Sequence, residues 1–571
     1  MTDLAEPGRS QTEIERKYDV DRQVEVPDLT GIGGIASVEV HEPVSLEAIY
    51  YDTAHNDLAH RRIIIRRREG GGDAGWHIKK PAAEGRTEMH WPLGEDTGVV
   101  PDAVLEPVRA WVRDRELTPL ARIATTRTAI HLKNAAGVGV VELADDEVEG
   151  TDIRHGALRT WREWEVELLK GAPDTEEGRT VLLDQIERML GAVGAHPSPS
   201  VSKMARTLGV DSLTDVTPAL DVVMNGEIAA GAAFGAAAEG NAGEDADADA
   251  GAGAGAGGAG AAGDDAESAD LDPGTRANLD DGSVASAVQS ALADLVLALE
   301  HADPAARADE PDAVHQMRTT VRRLRSVLAA FRSIFDEDVT DDLRDRLKRL
   351  GSVLGEARDA EVRGLRAKIY LNELPPQQDD EDAWARLVEG AKSDYRAAHD
   401  QMRQVLSSAP YFRLLDALDA FVANPPLTDA ASEPARKAVR TTIGREIRRV
   451  RKRADAIGAV GGDLEAQLHA VRRAGRRLRY TAEAIAGRGD FGSKYDRVAE
   501  AGERVQDALG EHRDSVLFGQ HLVLTSNRAD AEGEKTIIYG VLAGLNEKSG
   551  EVALAESSGA IDDVDGMADR F

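Results

Sequence analysis

Apolar residues are spaced in two ways along this chain, and the change of spacing divides it. Up to about residue 215 they alternate with polar ones over short runs. Examples are Glu13 to Tyr18, part of Ile65 to Arg68, and Trp161 to Leu168, with Gly and Pro clusters between them. A period of two predicts strands. Helical spacing intrudes only near Ala103 to Arg113 and Glu176 to Leu190. From about residue 283 the chain runs in long Ala/Leu/Arg/Glu segments broken at Pro304, Pro375-Pro376, Pro425-Pro426 and Gly461-Gly462, which predicts helices throughout. Between the two, Glu239 to Asp270 is almost wholly Gly, Ala and Asp. Such a segment cannot bury enough apolar area to offset its ordering entropy. Residues after about 548 are acidic and short of large apolar side chains, so they are expected to fray. The fold class expected is α+β and multidomain. It comprises a strand-rich domain over 1–215, a flexible acidic linker over 216–282, an all-α domain over 283–548 and a disordered acidic tail over 549–571.

The helical part carries a repeat. His315, Arg318, Arg322 and Arg325 recur as His469, Arg472, Arg476 and Arg479, about 154 residues on. Each copy is followed, at nearly the same offset, by Leu354-Gly355-Glu356-Ala357-Arg358-Asp359 or Leu509-Gly510-Glu511-His512-Arg513-Asp514. Two matched features in register indicate internal duplication. Steps of three, four and three place all four cations on one helix face. Val321, Leu324, Leu328 and Phe331 already form a separate apolar stripe, so the cationic face has another task. Gathering a polyanion is the natural one. Nucleic acid is disfavoured as that polyanion, because the basic helices lack interleaved aromatics and aromatic content is 4%. Arg358-Asp359 and Arg513-Asp514 read as ion pairs that orient the stripes.

Composition changes this picture little. With 571 residues the chain is long enough for several cores, and the absence of Cys excludes disulfides and thiolate metal sites. The acidic, polar N-terminus shows no secretory signal, and Ile228 to Ala238 is too short to span a bilayer. A cytoplasmic protein without a membrane partner is expected; the oligomeric state is left open. The formal charge of -33 sums unlike regions, whereas binding depends on local patches.

Strand facing supplies the candidate chemistry. Residues two apart point the same way, so Glu13, Glu15 and Lys17 share a face, as do Arg66 and Arg68, and as do Glu163, Glu165 and Glu167. One ladder alone is most simply a solvated face. Several ladders together match what a phosphate chain and its metals require: carboxylates for a hard divalent cation, and Arg and Lys for phosphate oxygens.

Glu13-x-Glu15-x-Lys17 resembles the signature of CYTH domains, the triphosphate tunnel superfamily. The resemblance continues through Tyr51-Asp52-Thr53, Arg66-x-Arg68, Trp76-His77-Ile78-Lys79-Lys80-Pro81, Arg127, Val141-Glu142-Leu143 with Asp145, Glu163 to Glu167, and Ser202-Lys203. It implies a closed antiparallel barrel whose bore takes triphosphate-containing substrates with Mg²⁺ or Mn²⁺. By position, Lys17, Arg66, Arg68, Lys79, Arg127 and Lys203 would hold phosphates. Glu13, Glu15, Asp145, Glu165 and Glu167 would hold metals, with Glu163 as a further candidate. Lys79 is favoured over its neighbour Lys80 because Trp76-x-x-Lys-x-Pro fits it. Asp145 and Asp146 compete for one role, and Asp145 is expected to fill it. The implied reaction is metal-assisted phosphoryl transfer to water.

The repeat His-x-x-Arg-x-x-x-Arg-Arg-Leu-Arg resembles CHAD domains, which are helical, often follow CYTH domains and bind polyphosphate. That implies two packed helical bundles with the cationic stripes facing each other. The expected function is hydrolysis of inorganic triphosphate or short polyphosphate, with the helical domain holding the polymer, and a place in the cytoplasm or on polyphosphate granules. The alternatives are a non-catalytic polyphosphate binder, and a thiamine-triphosphatase-like or adenylyl-cyclase-like activity in the same tunnel.

Overall fold

The computed structural model describes residues 9–82, 84–95, 98–200, 202–210, 282–375, 380–458, 462–486 and 491–571. The expected linker lies outside the described residues except for Gly282. Two compact units result, one on each side of it.

The first unit is built on one antiparallel sheet. Its strands are β1 (Arg9–Glu13), β2 (Glu15–Asp19), β3 (Ile35–Val40), β4 (Val44–Thr53), β5 (Ile64–Glu69), β6 (Gly75–Pro81), β7 (Arg86–Trp91), β8 (Leu117–Asn134), β9 (Gly139–Asp152), β10 (Leu158–Leu168) and β11 (His196–Pro197). They pair in the order β1-β7-β6-β5-β4-β8-β9-β10-β2-β11, and β3 also pairs with β8. Among the described residues no ladder joins the two ends, so the sheet is open, in contrast to the closed barrel expected. The reason lies at Ile14. β1 and β2 are halves of one extended segment, and the first half pairs with β7 while the second pairs with β10. Chain continuity, not a hydrogen-bonded ladder, spans that gap.

Strand alternation sorts the two faces of the sheet. On β10, Trp164 and Val166 are buried against Leu182, Ile186 and Leu190 of α3 (Glu176–Ala192). On β5 and β6, Ile65 and Ile78 join Val104 of α1 (Asp102–Leu105) and Trp111 of α2 (Arg109–Val112). The apolar face is therefore roofed by helices, and the residues between these positions point into the concavity. Met204 and Ala205 of α4 (Lys203–Leu208) pack on Ala48, Tyr50, Ile123 and Trp161. The Ser202 hydroxyl caps α4 by accepting from the Ala205 N–H at 3.1 Å, which fixes the helix carrying Lys203.

The second unit is helical: α5 (Val284–Arg307), α6 (Ala313–Ala330), α7 (Glu337–Glu373), α8 (Glu381–Trp384), α9 (Gly390–Leu406), α10 (Ala409–Ala423), α11 (Ala435–Ala454), α12 (Leu464–Ala486), α13 (Lys494–Ala531) and α14 (Ile537–Asp565). Packing repeats along with the sequence. α5 packs on α6, α6 on α7 and α7 on α9; likewise α11 packs on α12, α12 on α13 and α13 on α14. The copies meet where α6 packs on α12. No described helix is long and apolar enough to cross a membrane.

The tail over 549–571 departs from expectation. It continues α14 to Asp565, burying Ala553, Ser557, Ala560 and Val564. Its buried positions are mostly small residues, which allow close helix packing. Asp563 pairs with Arg504 at 3.0 Å and Asp565 with Arg451 at 3.3 Å, so its acidity is matched by basic residues of α13 and α11. Phe571 closes edge-on over Tyr495, with ring centroids 5.4 Å apart.

Candidate functional site

The concave face of the sheet encloses a cavity of about 250 Å³. Seven cationic side chains line it: Lys17, Arg66, Arg68, Lys79, Arg86, Arg127 and Lys203. Seven carboxylates line it too: Glu13, Glu15, Asp73, Glu88, Glu142, Glu165 and Glu167. Equal numbers matter, because buried charge persists only when it is compensated. Lys203 Nζ lies 2.9 Å from Asp146, 2.7 Å from Glu163 and 2.6 Å from Glu165. Arg127 grips Asp146 with Nε at 2.8 Å and Nη2 at 2.6 Å, and reaches Glu165 at 2.7 Å. Lys17 pairs with Glu165 and, at 3.0 Å, with Glu15. At the opposite wall Lys79 pairs with Glu13, and Glu88 accepts from Arg66 at 3.2 Å and from His77 at 2.9 Å.

All six expected phosphate-binding residues reach the cavity, with Lys79 lining it rather than Lys80. Glu13, Glu15, Glu165 and Glu167 do as well. Glu163 lies just beneath, buried, on Lys203 and on the Trp161 indole N–H. Asp145 does not belong to this set. It is clamped by Arg162 at 2.8 and 2.7 Å, and Asp146 takes the inward position. Strand alternation decides this, since Asp146 is the register partner of both Arg127 and Glu163. Three charged lining residues, Arg86, Glu88 and Asp73, are not singled out by the sequence, and Glu142 stands in the family motif without a role. The alternation Arg86-Thr87-Glu88 is a legible signal for the first two; Asp73 sits in a turn-rich stretch that offers none.

Carboxylates here are not held alike. Burial, and a hydrogen bond that the Glu13 carboxyl donates to Glu88, push Glu13 up to about 8, against the pull of Lys79. Burial pushes Glu167 up to about 7; Lys79 opposes, while Glu15, Glu142 and Glu165 add to the rise. Glu165 goes the other way. Lys17, Lys203 and Arg127 outweigh its burial and hold it well below the usual carboxylate range. Negative charge is thus over-compensated around Glu165 and under-compensated around Glu13 and Glu167. Glu13, Glu15 and Glu167 offer carboxylate oxygens of the kind a hard divalent cation takes.

In the helical unit, Arg318 and Arg322 of α6 converge with Arg472 and Arg476 of α12. Burial, together with the charges of Arg318, Arg476 and Arg472, holds the Arg322 guanidinium well below its usual value. Four cations repel one another here. Gly355 and Gly510 lie against the stripes at the same place in each copy. A Cβ at Gly355 would meet the Arg318 guanidinium at 3.5 Å, and one at Gly510 would meet that of Arg472 at 3.3 Å. Asp359 faces Arg318 at 3.6 Å. Arg358 instead reaches Glu361 at 2.8 Å, and after burial it joins Arg318 and Arg322 in lowering the half-buried His315 from its usual value. His469 and Arg325 lie half-buried on the same stripes. Arg479 is drawn off by Glu483 and Glu503, each at 2.7 Å.

Known proteins resemble this chain over most of its length. An uncharacterized protein of Mycobacterium tuberculosis, called MT2285 in strain CDC 1551 and Rv2226 in strain H37Rv, is 35% identical over 548 residues, covering 93% of this chain and 92% of its own. Among solved structures, PptA from Streptomyces chartreusis is 21% identical, covering 49% of this chain and 99% of its own at a TM-score of 0.41. The CHAD domain from the plant Ricinus communis is 22% identical, covering 52% and 94% at a TM-score of 0.39. The CYTH domain family matches residues 11–193 and the CHAD domain family matches residues 290–523. The chain therefore belongs to the CYTH–CHAD two-domain family.

Proposed function

We propose that the strand unit is a metal-dependent hydrolase of inorganic triphosphate or short polyphosphate, and that the helical unit binds polyphosphate through Arg318, Arg322, Arg472 and Arg476. One observation carries the first half: cations and carboxylates line a single cavity in equal number. A phosphate chain entering with divalent cations exchanges partners on both sides. Arg66, Arg68 and Arg127 turn their guanidinium forks from carboxylates to phosphate oxygens, while Lys17, Lys79 and Lys203 follow as point charges. Glu13, Glu15 and Glu167 are freed to hold Mg²⁺ or Mn²⁺, with Glu142 adjoining. When bound, the metal supplies Lewis acidity and lowers the pKa of an attacking water. Buried cations stabilise charge on the departing phosphate in a space that excludes bulk water.

Phosphate release from inorganic triphosphate in Mg²⁺, with the full chain, tests this. Removing one such electrostatic contact typically costs about 10²–10³ in kcat, so Arg66→Ala and Glu15→Ala are expected to lose at least that. No turnover of triphosphate, short polyphosphate or ATP by the wild type would leave only a binding role.

A further inference from the structure

We propose a second metal site, for a borderline transition cation of the Zn²⁺ class, formed by Glu39, His41 and His131 at the rim of the concave face. Glu39 is the penultimate residue of β3, and its register partner on β8 is His131. His131 is in turn the register partner of Glu142 on β9, so all three share the face that lines the cavity. The chain between β3 and β4 supplies His41. Val40 pairs with Ile130 and Val44 with Arg127, so three residues, His41 to Pro43, oppose only two on β8. Such a bulge re-aims a side chain. The His41 backbone N–H still holds to the Ala129 carbonyl at 2.9 Å, and its ring meets that of His131.

The hydrogen bonding presets the ligand atoms. His131 Nε2 lies 2.9 Å from Glu142 Oε2. An ionised carboxylate only accepts, so Nε2 carries the proton and Nδ1 presents its lone pair. A carboxylate behind a metal-ligating imidazole is the usual device for fixing tautomer and ring orientation. His41 Nε2 stands 3.0 Å from that Nδ1. In a tetrahedral site with Zn–N bonds of about 2.0–2.1 Å, two nitrogens lie about 3.3 Å apart. The pair is therefore within a few tenths of an ångström of a shared coordination edge. One ligand atom from each of Glu39, His41 and His131 lies within 4.8 Å of the others. Two imidazoles and a carboxylate suit Zn²⁺, Co²⁺ or Ni²⁺, and are poor ligands for Mg²⁺. Binding requires His41 to move its proton from Nε2 to Nδ1, and Glu39 to give up its ion pair with Lys133. Water completes the coordination at this open edge, where the Glu39 side chain is 50% exposed.

The test is Zn²⁺ titration of the untagged full chain against a chromophoric chelator, with Co²⁺ spectra as a second readout. The wild type is expected to bind one equivalent at this site and to give the visible absorption of distorted tetrahedral Co²⁺. His41→Asn and His131→Asn should each weaken that equivalent at least tenfold, and Lys133→Met should tighten it several-fold. Unchanged Zn²⁺ affinity in both histidine variants would overturn the proposal, as would Zn²⁺ binding lost only on substitution of Glu165 inside the cavity. Circular dichroism of each variant separates loss of the site from loss of fold. None of these readouts depends on phosphate hydrolysis, so the hydrolase reading can fail without this one.

Discussion

Lys203→Met puts the inward-charge arrangement under the most direct strain. The ammonium group sits 2.6–2.9 Å from three carboxylates, and its side chain is 11% exposed. At an effective dielectric near 20, each contact is worth about 6 kcal/mol of gross attraction, most of it offset by the desolvation of four ions. Removing one partner leaves the offset without the attraction, and such changes cost about 3–5 kcal/mol. Methionine keeps the length of the chain, so loss of packing is a small part of that figure. For a unit of this size, a melting temperature falls about 2–4 °C per kcal/mol, giving a drop of about 10 °C. Tryptophan fluorescence reads it selectively, because Trp76, Trp91, Trp111, Trp161 and Trp164 lie in the strand unit and only Trp384 in the helical one. Millimolar Mg²⁺ should stabilise the variant more than the wild type, since Asp146, Glu163 and Glu165 then present oxygen atoms within 4.8 Å of one another. The exposed Lys170→Met serves as control and should stay within about 0.5 kcal/mol of wild type. A Lys203→Met shift below about 2 °C would refute the reasoning, because those carboxylates could not then be both buried and dependent on the ammonium.

Three further outcomes follow from the same geometry. Asp146→Asn should destabilise the strand unit by more than Asp145→Asn does, as read by urea unfolding, because Asp146 is fully buried between Arg127 and Lys203 while Asp145 sits on the half-open Arg162 pair; equal effects would reverse the assignment. Glu13 and Glu167 have folded values raised to about 8 and about 7, so the folded state binds more protons than the unfolded one above the ordinary carboxylate value. Their contribution therefore lowers stability as pH rises from about 4.5 toward 8, and Mg²⁺ affinity, measured calorimetrically, should rise over pH 6–8 as those protons leave; affinity that is flat with pH would place the metal elsewhere. In the helical unit, Arg318→Glu with Arg472→Glu should weaken retention of the full chain on long-chain polyphosphate and flatten its salt dependence. Unchanged retention would remove the stripe as the binding face.

Much of the candidate site is legible because strands convert sequence parity into facing. Glu13, Glu15 and Lys17, or Arg66 and Arg68, need no fold to be placed together on one side. Lys203 is different. It sits on a short helix far along the chain, and only its family motif points to it. Asp145 and Asp146 are adjacent acids of opposite parity, and pairing of Asp146 with Arg127 and Glu163 puts Asp146 on the inward face. The part of α14 beyond residue 548 escapes notice because its buried positions, Ala553, Ser557, Ala560 and Val564, are mostly small residues set among acidic ones.

By itself, the sequence determined the periods: two in the first part and three to four in the second, the duplication of the basic stripe, and hence which charges travel together. Sequence parity says that a ladder has two faces; it does not say which one is roofed. That was decided only when α1, α2 and α3 covered the apolar side with Trp111, Leu182 and Ile186, forcing seven cations and seven carboxylates to neutralise one another within the concavity. Mutual neutralisation is a relation between strands distant in the chain, set by the distances at which their charges are held, and no local pattern encodes those distances.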